Sequence, residues 1–127
     1  MAADPARLAA RQRGRRAESL AALWLRLKGY RILARGSVTG RGTGAGEIDI
    51  VARRGRVVAF VEVKARPSRD EALEAITAAQ RRRIMRAAET FLSRHPELAG
   101  CDMRFDAVLV VPNRLPRHIS DAWRMDA

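Results

Sequence analysis

With one cysteine, Cys101, and two histidines, His95 and His118, the chain has no room for an internal disulfide or a zinc-type ligand cluster. A metal bound by this protein must therefore sit on oxygen ligands. Long apolar runs are missing as well: no segment approaches the roughly 20 residues that cross a bilayer, so no membrane partner is expected and the predicted location is the cytoplasm. Lysine is nearly absent, since 23 of the 25 basic residues are arginine and only Lys28 and Lys64 break the pattern. Nor does the glycine-rich stretch Gly36 to Gly46 end in the Gly-Lys-Ser/Thr of a nucleotide-binding loop, which argues against nucleotide hydrolysis; no small-molecule cofactor is expected.

What is present is positive charge. The formal net charge is +11 and the pI about 11.6. Residues 1 to 46 carry ten Lys or Arg against Asp4 and Glu18, whereas the rest carries fifteen against twelve acids. Clustered cations gain free energy by releasing counterions from a phosphate backbone, so a polyanion, nucleic acid foremost, is the expected partner. At 127 residues, with 47% hydrophobic and 31% charged residues, the chain suits one globular domain spanning residues 1–127.

Periodicity predicts the elements. A helix runs from about Asp4 to Lys28, with Leu20, Leu23, Trp24 and Leu27 as the stripe expected to pack on a sheet and Gly29 as its stop. Tyr30 to Ala34 is β-compatible, and Gly36 to Gly46 is expected to be a flexible loop. Two Ile- and Val-rich runs, Glu47 to Ala52 and Val57 to Ala65, flank a turn at Arg53 to Arg56 and read as a hairpin. A short helix over Asp70 to Ile76 and a longer one from Ala78 to about Ser93 follow. The longer one is capped by Thr77 and buries Ile84, Ala88, Phe91 and Leu92. Met103 to Val111 suits a strand buried on both faces, ended by Pro112. In the tail from 113 to 127 only His118 and Ile119 suggest a last strand. The order predicts an α/β fold, an α/β/α sandwich around a mixed β-sheet.

The hairpin carries the candidate chemistry. Alternation puts Glu62 and Lys64 on one face of their strand and Asp49 beside them on the partner. Two carboxylates held together repel unless a cation lies between them, and a hard divalent ion, Mg2+ or Mn2+, fits that need. Asp49 and Glu62 are the candidate metal ligands. Lys64 is the candidate catalytic cation, a compact ammonium in a chain otherwise committed to arginine. By spacing alone a charged hairpin face with ordinary ion pairs is the readier explanation of the pattern.

The stretches Gly46-Glu47-Ile48-Asp49-Ile50-Val51 and Phe60-Val61-Glu62-Val63-Lys64-Ala65-Arg66 decide between them. With Glu18, Gly29-Tyr30, the helix from Thr77 to Leu92, Arg104-Phe105-Asp106 and the tail His118 to Trp123, they make the chain resemble the YraN-type family of small bacterial proteins. That resemblance implies a restriction-endonuclease-like fold and kinship with metal-dependent nucleases such as Holliday junction resolvases. It implies Asp49, Glu62 and Lys64 as the core triad and Glu18 as a further member of the site. Where the family pattern has a lysine after Thr77, this chain has Gln80, which can still hydrogen-bond a phosphate or a metal-bound water.

The expected activity is hydrolysis of phosphodiesters in DNA, branched or single-stranded, as in repair or recombination. Arg66, Arg41, Arg81 and Arg82, with Arg83 and Arg86, are the candidate backbone-binding rim. The rival expectations are a nucleic-acid-binding module without cleavage and a basic protein-interaction factor. His95 and His118 are expected at the surface. A homodimer would suit the cutting of two strands, but no stripe marks its interface.

Overall fold

The computed structural model describes residues 4–36 and 48–124. Helix α1, Pro5–Leu27, begins where the Asp4 carboxylate accepts a hydrogen bond from the Ala6 amide, with Pro5 presetting the first turn. It stops at Gly29, whose φ of 92° is one that glycine adopts without steric cost. Strands β1, Arg31–Arg35, β2, Ile50–Arg54, and β3, Val57–Ala65, follow. Helix α2, Arg69–Glu74, is capped by Ser68, and α3, Ala78–Ser93, by Thr77, whose hydroxyl accepts the Gln80 amide at 3.1 Å. A single 3-10 turn, Pro96–Leu98, leads into β4, Asp102–Val110, and then β5, Arg117–Trp123. The last strand is longer than expected, and the Gly36 to Gly46 loop beyond Gly36, Arg41 included, lies outside the described residues.

The five strands form one sheet in the order β1-β2-β3-β4-β5, with β3 and β4 parallel and the other pairs antiparallel. A parallel pair needs a long crossover, and here the crossover is α2 and α3. These helices bury Ala72, Ile84, Ala88 and Phe91 against Phe60, Phe105 and Trp123 on one face. On the other face α1 buries Ala21, Ala22 and Leu25 against Ala59, Val61 and Val108. The mixed sheet thus lies between two helical layers, as expected. Phe105 to Leu109 is buried throughout, which explains the unbroken apolar run of β4.

The orientation of α1 corrects the sequence expectation. The helix buries Ala17, Ala21, Ala22 and Leu25, while Leu20, Leu23 and Leu27 are 40%, 51% and 72% exposed. Leucine spacing identified the helix but not its inner face. Alanines at 17 and 21 let the helix axis approach the sheet closely, and a hydrophobic count gives small residues little weight. Leu25→Ala is therefore expected to cost roughly 2–5 kcal/mol, and Leu27→Ala less than about 0.5 kcal/mol, by urea denaturation. Equal losses would contradict this orientation.

Candidate active site

Ile50 pairs with Val61 and Val51 with Phe60, so the register sets Asp49 beside Glu62 just beyond the last paired residue of β2. Asp49 lies in a bend rather than within the strand. Its Oδ2 accepts the Val63 amide at 2.8 Å and its carbonyl accepts the Gly36 amide at 2.8 Å. Those bonds anchor the carboxylate to β3 from one side and to the end of β1 from the other.

Glu62 is not on a solvent face: it is 4% exposed. Its Oε1 accepts from Gln80 Nε2 at 2.9 Å and pairs with Lys64 Nζ at 3.1 Å. Gln80 reaches it from the first turn of α3, placed there by the Thr77 cap. Burial pushes the Glu62 carboxyl up to about 8; the charge of Asp49 adds to this, and Lys64 opposes it. Glu18 approaches from α1. Burial and then Asp49 raise its carboxyl above the ordinary value, against Arg35, whose Nε lies 3.6 Å away.

Asp49 is thus the hub through which Glu18 and Glu62 sense one another. Glu18, Gly36, Asp49 and Val63 line a cavity of ≈ 460 Å³, together with Arg11 and Arg15. Neither arginine was singled out by sequence, although Arg15 lies three residues and Arg11 seven residues before Glu18, spacings that put them on its side of α1. Among the described residues, no group of three or more His, Cys, Asp or Glu side chains is arranged to hold a metal ion.

The expected rim is scattered. Arg66 is exposed at the end of β3, with Nη1 on the Ala65 carbonyl at 2.7 Å. Arg81 lies over the Trp123 ring, 5.7 Å from its centre, and Arg82 is exposed. Neither lines the acidic cavity.

A second polar cluster occupies the α1 face of the sheet. Asp106 is fully buried and accepts hydrogen bonds from Arg104 Nε and Nη2, both at 2.8 Å, from His118 Nε2 at 2.7 Å, and from the Asp121 amide at 3.0 Å. Burial alone would raise its carboxyl, but the bonds from His118, Arg104 and Asp121 outweigh it and hold the group at about 2. Lys28 Nζ lies 2.6 Å from His118 Nδ1. An ammonium only donates, so Nδ1 accepts and Nε2–H is the donor to Asp106. Arg104 also reaches the Tyr30 hydroxyl at 2.5 Å.

His118, with its side chain 2% exposed, is therefore internal and not the surface residue expected. His95 is half-buried too, stacked on Phe91 with ring centres 4.0 Å apart. The signal for the cluster was present in the sequence. Arg104 and Asp106 share a face at the mouth of an apolar strand, and a carboxylate there needs partners.

No helix among the described residues is long and apolar enough to cross a membrane. Comparison with known proteins agrees with the motifs read above. The model described as "Uncharacterised protein family UPF0102" matches residues 17–110. A UPF0102 protein of Paramagnetospirillum magneticum is 67% identical over 118 residues, covering 93% of this chain and 92% of its own. One from Parvibaculum lavamentivorans is 57% identical, covering 92% and 85%, and one from Bradyrhizobium diazoefficiens is 52% identical, covering 95% and 88%. The matched span contains Glu18, Asp49, Glu62, Lys64, Gln80 and Asp106, and with relatives this similar along nearly its whole length the chain belongs to the UPF0102 family, the YraN-type family that its motifs resemble.

Proposed function

We propose that the protein hydrolyses phosphodiesters in nucleic acid, DNA foremost, with a divalent ion of the magnesium class. The observation that supports this is Glu62, buried beside Asp49 with its carboxyl pushed up to about 8. A fold that keeps two carboxylates together at that cost gains if a cation joins them. Asp49 and Glu62 offer oxygen donors only, which fits Mg2+ or Mn2+, and these two residues would hold the ion with Glu18 close by. When bound, such an ion polarises a phosphoryl oxygen and lowers the pKa of water.

The chain's own residues do the rest. The Val63 amide fixes Asp49, Gln80 and Lys64 fix Glu62, and Lys64 stands ready to offset charge that grows on a phosphate oxygen. Arg11 and Arg15, on the wall of the acidic cavity, can take phosphates flanking the cut. Incubation of branched, nicked and single-stranded DNA and of RNA with Mg2+ or Mn2+ tests this. Wild type is expected to give products, and Asp49→Ala and Lys64→Ala to give none. Identical products from all three proteins would sink the proposal.

One observation favours a second reading, a binding module without cleavage: among the described residues, no three metal-type side chains converge. That reading predicts salt-sensitive binding of nucleic acid, unaffected by Mg2+ and undiminished in Glu62→Ala.

A further inference from the structure

Beside Lys64 a larger groove opens, of ≈ 1230 Å³, above the roughly 300–1,000 Å³ of small-molecule pockets. It runs between α1, the end of β3 and the turn joining β4 to β5. Five cations line it, Arg13, Arg16, Lys64, Arg66 and Arg114, and no lining residue is acidic. Between the charges the lining is apolar: Leu20 and Leu115, 40% and 71% exposed, line the groove with Val110. Gly14 and Val63 line both this groove and the acidic cavity, so the two meet there. At Gly14 an added Cβ would find nothing within 4 Å, which leaves the junction open.

We propose that this groove takes an unpaired nucleic-acid strand and leads it past Gly14 to the carboxylates; the proposal rests on the hydrolase reading above and names its substrate class. A duplex stacks its base faces out of reach and presents mainly phosphates. An unpaired strand offers phosphates to the cations and base faces to Leu20, Leu115 and the planes of the arginines, which is the combination lining the groove. An acidic peptide would match the charges, but the groove leads to Lys64 and Asp49, where that reading places phosphodiester chemistry.

Fluorescence anisotropy in EDTA, with labelled oligothymidylate, a duplex of the same length and oligoglutamate as competitor, tests the groove. Oligothymidylate is expected to bind about tenfold or more tighter than the duplex, the equivalent of one stacked base. Its salt slope is expected near −3.5, five contacts at about −0.7 each. Arg114→Glu combined with Leu115→Asp, both exposed positions, should weaken strand binding about tenfold and flatten the slope by about 0.7. Gly14→Trp should obstruct strand binding and spare duplex binding. Gly14→Ala, which adds one methyl in open space, should bind like wild type and shows that the helix tolerates the position.

Duplex binding as tight as strand binding would overturn the proposal, as would displacement of the strand by oligoglutamate at equal charge. The two readings fail separately. Strand-selective binding that depends on the groove, with no cleavage in Mg2+, counts against hydrolysis alone. Cleavage of the unpaired strand at the wild-type rate by Gly14→Trp counts against the groove alone.

Discussion

In metal-free buffer at pH 8, Glu62→Gln should unfold at a higher temperature than wild type, by roughly 3–6 °C or about 1 kcal/mol, while losing roughly 10²–10³-fold in cleavage once Mg2+ is restored. The stability gain follows from the sign of the linkage. The Glu62 carboxyl is raised from the ordinary 4.5 to about 8 in the folded chain, by burial first and by Asp49 second. Between those values the folded state holds a proton that the unfolded state releases. The contribution is therefore fully present below about 4.5 and is lost as pH climbs through about 8.

Glutamine keeps the shape and a carbonyl acceptor for Gln80 and Lys64, but has no proton to lose. Thermal scans across pH should show the two proteins diverging above pH 5. A gap that widens toward acid instead would show that burial of Glu62 is not its cause. Mg2+ should then stabilise wild type by about 2.7 kcal/mol at a hundredfold excess over its dissociation constant, and Glu62→Gln by far less. The residue that destabilises the metal-free fold is, on this account, the one that binding turns to advantage.

Asp106→Ala is expected to lose roughly 3–5 kcal/mol of stability, a large share of the roughly 5–15 kcal/mol of a domain. The carboxylate is fully buried, and its loss removes two bonds from Arg104 and strands the His118 imidazole, whose side chain is almost fully buried. It also releases the Asp121 amide, which Asp106 holds while Asp121 adopts a φ of 55°. That residue lies where the β4–β5 register shifts between Phe105 and Ala107, so the variant loses what locks the irregularity. Urea titration measures the loss, and a change below about 1 kcal/mol would show the cluster to be dispensable.

Because the Asp106 carboxyl is held at about 2, below its usual 3.8, its contribution should stay intact at pH 4. It should fade only as pH falls toward 2.

Most of the architecture could be read from the chain because its local chemistry is consistent. Thr77 caps α3 as its position before Ala78 predicts, and Gly29 closes α1. The hairpin alternation that paired Asp49 with Glu62 agrees with the observed register. Periodicity failed at α1, where the apolar stripe of Leu20, Leu23 and Leu27 is real yet faces outward. A helix close to a sheet is chosen by what fits, and alanine fits where leucine does not.

Burial failed too. Glu62 and Lys64 resemble an exposed pair on paper, and only the arrival of α3, brought over by the crossover, turns that strand face inward. The Asp106 cluster was the least legible as a whole: Arg104 is its strand neighbour, but Lys28, Tyr30 and His118 come from other parts of the chain. No window of sequence contains such a set.

That distance affects the order of events at the ribosome. Lys28 and His118 are 90 positions apart, and β5 supplies both the imidazole and the amide that satisfy Asp106. While the chain is being synthesised, α1 and the first three strands can collapse, but Asp106 then has only its strand neighbour Arg104 and a competing claim on water. The native sheet cannot close around an aspartate still short of its partners, so completion waits for residues 117–123 to emerge. Translation arrested before that segment should leave a nascent chain that proteases still cut, and resistance should appear only once residues 117–123 have left the ribosome.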